Sequence, residues 1–325
     1  MSIVLSDYKL EVTIEQITPY VNYIETVDSN NSRNEIIRTT EFKPRFDRFL
    51  SDKLKIDNKS ELLVPRESVD DLVKALDYKV IIKKIERMDY SKRIDSKSFQ
   101  TSGEKYKVRK EGIKFKLIFF SFKSEVIKII KNNLAEFLAL TNFGKRKNKC
   151  YGSFYIVPED PLYKDIDEIE ILKDFNFFKE GKENRCYLEI TLRSNKSISE
   201  KSFFGDMIPS LEVKRDDNRG NQPIILFRDE PEGKRKDTNG KSLARGESLI
   251  SMKILKNGGK YRLYAVPNFP LLKEIYSKIY NEDIERFIEG IDEKSIEKNR
   301  ISRSFKDVYF DKELFYDKVK KYLKK

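Results

Sequence analysis

The chain has 325 residues and 38.5 kDa, with 38% hydrophobic residues, 37% charged residues and a formal net charge of +12 at pH 7. That length suits two domains with packed cores and excludes a disordered chain, while the positive balance points toward a polyanionic partner. The sequence has no histidine, which excludes every mechanism that needs imidazole, from serine triads to histidine-dependent ribonucleases.

Lys9 to Ile17 alternates, with Leu10, Val12 and Ile14 on one side, and predicts a half-buried strand. Thr40 is placed to cap a helix carrying Phe42, Phe46, Phe49 and Leu50 on one face, with Pro44 tolerated in its first turn. Val80 to Ile85 and Ile113 to Phe122 predict two further strands. Ser124 is expected to cap a second helix with Ile127, Ile130, Leu134, Phe137 and Leu138 on its apolar face, ending near Asn142-Phe143-Gly144. Tyr151 to Val157 predicts the fourth strand. The resulting β-α-β-β-α-β order is ferredoxin-like: an α+β module in which both helices cover one face of an antiparallel sheet and leave the other free to hold RNA. The connection over 88–112 is too long for a plain hairpin and predicts a protruding, mobile basic loop.

An acidic stretch from Pro158 to Glu183 predicts a boundary, giving a first module over 1–181 and a second β-rich α+β module over 182–325. In the second, Tyr187 to Leu192 and Ile224 to Phe227 are expected strands. Leu249–Leu255 and Tyr261–Val266 form a hairpin around Asn257-Gly258-Gly259, Pro270 opens a helix, and Val308 to Leu323 reads as a terminal helix.

Between Tyr78 and Lys149 stand 20 Lys and Arg against 7 Asp and Glu, so an excess of 13 cations sits in 72 residues and the remaining 253 balance to about −1. A neutral remainder with one basic region is the footprint of a phosphate-binding surface, against the alternative of solvated Lys-rich faces. The loop contributes Lys92, Arg93, Lys105, Lys107 and Arg109. The segment 142–154 places Lys145, Arg146, Lys147 and Lys149 between Gly144 and Gly152, whose small size lets backbone amides approach phosphate, while Tyr151 is a candidate for base stacking. The alternative for Gly144 is a helix C-terminal glycine whose neighbouring cations complement the helix dipole. Cys150 and Cys186 lack metal-ligand spacing and are expected to be reduced. No apolar run reaches the roughly eighteen residues of a membrane span, and MSIVLSDYKLEV lacks signal-peptide features, so a cytoplasmic protein is expected.

Gly144-Lys145-Arg146, followed by cations and Tyr151-Gly152-Ser153-Phe154, resembles the glycine-rich signature GxGxRSRRGFGS of the RAMP superfamily of CRISPR-associated proteins. Ile17-Thr18-Pro19 is similar to the superfamily's "TP" segment, and Arg38 to Phe49 to the start of its first helix. Asn221 to Phe227, Arg245 to Lys253 and Gly258 to Arg262 resemble blocks of the first subunit of type III-B Cmr effector complexes. The chain departs at Pro44, Asp47 and Cys150, and has Tyr20-Val21-Asn22-Tyr23 where glycines are usual; Arg38, Lys43, Arg45 and Arg48 still offer cations at the helix start. The resemblance implies two ferredoxin-like modules in a noncatalytic RNA-binding subunit. Its partners would be guide RNA, target RNA and other RAMP subunits, with no cofactor, no metal and no membrane. Arg245 would be a phosphate contact, or alternatively a buried ion-pair partner.

Two other functions compete. Asp206, Glu212 and Lys214 form a spacing loosely similar to magnesium-dependent nuclease sites. An assembly protein without nucleic acid is the third reading, its 17 Tyr and 22 Phe feeding protein interfaces.

Overall fold

The computed structural model describes residues 7–18, 20–21, 37–56, 60–64, 75–85, 93–94, 108–109, 112–144, 147, 150–190, 249–280, 282–292, 300–302 and 305–324. They fall into two compact units, Met1–Arg146 with Tyr151–Ile169 and Lys147–Cys150 with Glu170–Lys325. The division after Ile169 comes earlier than the boundary expected at 181.

In the first unit, β1 (Lys9–Gln16), α1 (Thr39–Leu54), β3 (Lys79–Lys84), β6 (Lys114–Phe120), α2 (Ser124–Leu140) and β7 (Phe154–Ile156) follow the ferredoxin-like order. The sheet order is β3-β6-β1-β7 and every pairing is antiparallel. Alternation sends Leu10, Val12, Ile14, Phe115, Leu117 and Phe119 to the covered side. The helices meet that face through aromatic contacts: Phe42 and Phe46 lie 6.0 and 6.2 Å from Phe119, and 5.4 and 4.6 Å from Phe137 of α2. Phe143 closes the cluster, stacked on Phe42 at 5.7 Å. Tilted and edge-on pairs of this kind add about 0.5–1.5 kcal/mol each beyond area burial.

Several boundaries move, each for a local reason. Arg38, not Thr40, is the residue before α1, and it caps with extended backbone and no side-chain bond. Lys123 precedes α2, so Ser124 is its first helical residue. The fourth strand shortens to three residues because Cys150 and Gly152 take left-handed backbone, with φ of 64° and 68°. The connection over 88–112 is more than a bare loop. Within it β4 (Arg93–Ile94) pairs with β5 (Val108–Arg109), and β5 pairs with β2 (Tyr20–Val21), giving a small sheet of order β2-β5-β4. The acidic stretch expected as a boundary is folded, with Ile166, Ile169 and Leu172 buried.

In the second unit, β11 (Ile250–Asn257) and β12 (Lys260–Pro267) form the expected hairpin, and β10 (Leu188–Ile190) adds to β12. The two-residue turn is Gly258-Gly259, with φ of 54° and 84°, as a type I′ turn requires at both positions. A second sheet joins β8 (Phe178–Glu180), β9 (Glu183–Arg185), β13 (Arg300–Ser302) and β14 (Phe305–Phe310) in the order β13-β14-β8-β9. Val308 to Phe310 is therefore strand, not helix, because it pairs with Glu180 to Phe178. Asp311 then ends the strand and caps the helix Lys312–Leu323, its Oδ1 accepting from Leu314 N–H at 3.0 Å. The helix Phe269–Ile279 starts from Asn268, with Pro270 in its first turn. The expected strand over Ile224 to Phe227 lies outside the described residues.

Candidate nucleic-acid interface

The end of β1 is where Gly112, downstream of the basic connection, and Ser153, downstream of the glycine-bounded basic segment, meet the sheet. Gly112 N–H donates to Gln16 O at 2.7 Å as the chain returns from β5 into β6. Ile17 N–H donates to Ser153 O at 2.8 Å, and Ser153 N–H returns a bond to Thr18 Oγ1 at 2.9 Å. Three residues, Gln16 to Thr18, thus tie down both the downstream end of the basic connection and the downstream end of the glycine-bounded basic segment. Thr18 is fully buried, so its hydroxyl is committed to this clamp.

The two glycines do structural work at the segment's ends. Phe143 N–H donates to Gly152 O at 2.8 Å, and Asn142 and Ser153 form an isolated bridge. A Cβ on Gly152 would lie 1.9 Å from Phe143 O, so the close crossing demands glycine. Gly144, with φ of 80°, donates its N–H to Glu41 Oε1 at 2.8 Å. The amide that the sequence offers to phosphate is occupied by a carboxylate of α1 here.

The cations of α1 divide into two classes. Lys43 is spent internally: its Nζ sits 2.7 Å from Asp47 Oδ2, 2.9 Å from Leu76 O and 3.9 Å from the centre of the Tyr78 ring. Burial raises the Asp47 carboxyl above its ordinary range although Lys43 pulls it down, and burial pushes the Tyr78 phenol well up, with Asp47 adding to it. Arg45 pairs with Glu41 at 3.0 Å and donates to Asn142 O at 2.8 Å. Lys43 and Arg45 thus carry internal ion pairs, with side chains 25% and 30% exposed. Arg38 and Arg48 are exposed.

Tyr151 is 1% exposed, and this corrects its reading as a stacking platform. Left-handed residues, Cys150 and Gly152, flank it on either side. Arg93 and Arg109 occupy register-paired positions in β4 and β5, next to Tyr20 of β2. Lys147 is described, and its carbonyl accepts from Ser251 Oγ at 3.4 Å within the second unit. Lys92, Lys105, Lys107, Lys145, Arg146, Lys149 and Arg245 lie outside the described residues, as do Asp206, Glu212 and Lys214. Lys253, which ends the block begun by Arg245, is fully buried, and burial drives its pKa well below the ordinary ammonium value. Among the described residues no three Cys, Asp or Glu side chains gather as a metal site, and no helix is long and apolar enough to cross a membrane.

Sequence reasoning passed over Glu41, although its i,i+4 spacing to Arg45 was visible, and over the clamping role of Thr18.

A family model described as the Cmr1 N-terminal domain matches residues 7–208. The crystal structure of Cmr1 from Pyrococcus furiosus in its apo form is similar at 15% identity, covering 80% of this chain and 88% of that one with a TM-score of 0.41. No curated relative matches the sequence.

Proposed function

The chain belongs to the family of the Cmr1 N-terminal domain, within the RAMP proteins of type III-B CRISPR systems, and on that premise we propose that it is a noncatalytic, RNA-binding subunit of a Cmr effector complex. It grips the sugar-phosphate backbone of guide RNA and of the target paired to it, and it docks against other RAMP subunits. Base pairing between guide and target carries sequence specificity, so the protein needs only backbone and shape.

One observation carries this reading. Gly112, downstream of the strand that carries Arg109, and Ser153, downstream of the stretch 145–149, both bond to Gln16–Thr18, so the chain that follows each of two basic stretches far apart in sequence reaches one end of one sheet.

The experiment is RNA binding at several salt concentrations. Each cation on a phosphate contributes a slope of about −0.7 in log affinity against log salt for single strands. Converting Lys145, Arg146, Lys147 and Lys149 to Ala is expected to flatten the slope by up to about 2.8. An unchanged slope overturns the assignment. Magnesium-dependent RNA cleavage that disappears in Asp206→Ala overturns the noncatalytic part.

A further inference from the structure

The helix-free face of the first sheet carries chemistry that the basic segments leave unused. The register sets Lys79 beside Phe120, Ile81 beside Ile118 and Lys83 beside Lys116. With Lys114, this outer half of the face holds four cations and no acid. Glu11 on the adjacent β1 takes up Lys9 at 2.7 Å and Lys116 at 3.1 Å, and Lys9 and Lys116 hold the Glu11 carboxyl below its ordinary range. Apolar groups stand among these charges in the open. Phe122 is 82% exposed, Ile81 51% and Phe120 38%, and the two Phe rings meet edge to face at 5.0 Å.

This combination selects its occupant. Lysine is depleted from the centres of protein interfaces, where aromatic anchors sit in desolvated surroundings. Aromatic faces interleaved with lysine are what unpaired nucleotides require, because bases stack on rings while the backbone follows the cations. The geometry also provides a path. Phe120 and Lys114 are at opposite ends of β6, about 20 Å apart at roughly 3.3 Å per residue, and Lys114 pairs with Glu15 beside the Gln16–Thr18 anchor.

We propose that this face is a stacking platform for unpaired single-stranded RNA, with bases on Phe122 and Phe120 and phosphates passing over Lys79 and Lys83 toward the basic end of the sheet. The proposal rests on the RNA-binding reading above and adds a second, stacking contact to it.

The test measures fluorescence anisotropy of a labelled oligouridine, alone and annealed to its complement, with the full chain. Phe122→Ala is expected to weaken single-strand binding about tenfold at every salt concentration, leaving the salt slope unaltered, because stacking releases no counterions. Phe122→Tyr restores affinity, and duplex binding is unaffected. Phe122 is so exposed that its replacement does not threaten folding. If Phe122→Ala binds like the parent while the four-cation variant of residues 145–149 is weakened, the platform is overturned and the RNA-binding reading stands. If both variants bind like the parent, both readings fall. Unaltered RNA affinity together with loss of self-association in sedimentation overturns the proposal in favour of a protein contact. Equal weakening of single strand and duplex overturns the stacking.

Discussion

Replacing Gly152 by Ala tests whether the base of the basic segment is a rigid crossing. The glycine has φ of 68°, where an L-residue costs about 1–2 kcal/mol. The new methyl would also stand 1.9 Å from Phe143 O and 2.8 Å from its carbonyl carbon, far inside contact distance. The neighbour cannot swing away, because it is backbone and because the Phe143 ring is buried between Phe42 at 5.7 Å and Phe154 at 5.9 Å. Relief requires opening the 2.8 Å bond from Phe143 N–H to Gly152 O, which strands buried backbone groups at about 1–3 kcal/mol. The sum is about 2–5 kcal/mol. Gly112→Ala is the control in the same unit: its φ is 87°, but a Cβ there meets only Glu15 Oε1 at 4.0 Å. It should cost only the conformational part, so the excess of about 1–3 kcal/mol is expected to make Gly152→Ala melt about 2–12 °C lower than Gly112→Ala, at roughly 2–4 °C per kcal/mol for a unit of this size. Thermal unfolding followed by circular dichroism reads the difference. Equal melting temperatures for the two variants refute the crossing.

Lys43→Met leaves the Asp47 carboxylate, 3% exposed, without its cation and should cost about 3 kcal/mol at pH 7 in urea unfolding. Because burial raises the Asp47 pKa from 3.8, that carboxyl favours the folded state at low pH and loses the contribution as pH climbs through its folded value. The Lys43→Met deficit should therefore shrink on acidification toward pH 4, and a deficit independent of pH would contradict it. Tyr151→Ala is expected to lower stability by about 3–5 kcal/mol while leaving RNA affinity unchanged when measured well below its melting temperature. A specific loss of RNA binding in a folded Tyr151→Ala protein would return the ring to the interface.

Periodicity along the chain was enough to read the first unit. Leu10, Val12 and Ile14 at every second position, and Phe42, Phe46 and Leu50 at helical spacing, write the β-α-β-β-α-β order, since each element buries one face and alternation records which. The β11–β12 hairpin was equally legible, because two consecutive glycines permit the left-handed turn that joins two strands. The concentration of cations between Tyr78 and Lys149 needed only counting.

Which of the candidate cations, in that stretch or on α1, remain open to a ligand could not be read in the same way. Lys43 finds its carbonyl partner 33 residues away and Arg45 finds one 97 residues away. Val308 to Phe310 continued a plausible helical pattern until pairing with β8, more than a hundred residues upstream, drew it into a sheet. Tyr151 had every local mark of an exposed aromatic in a basic loop, and it lies inside, flanked by the left-handed Cys150 and Gly152. Periodicity reports the face a residue shows its immediate neighbours. The partner that consumes a charge or buries a ring comes from chain that folding alone brings near.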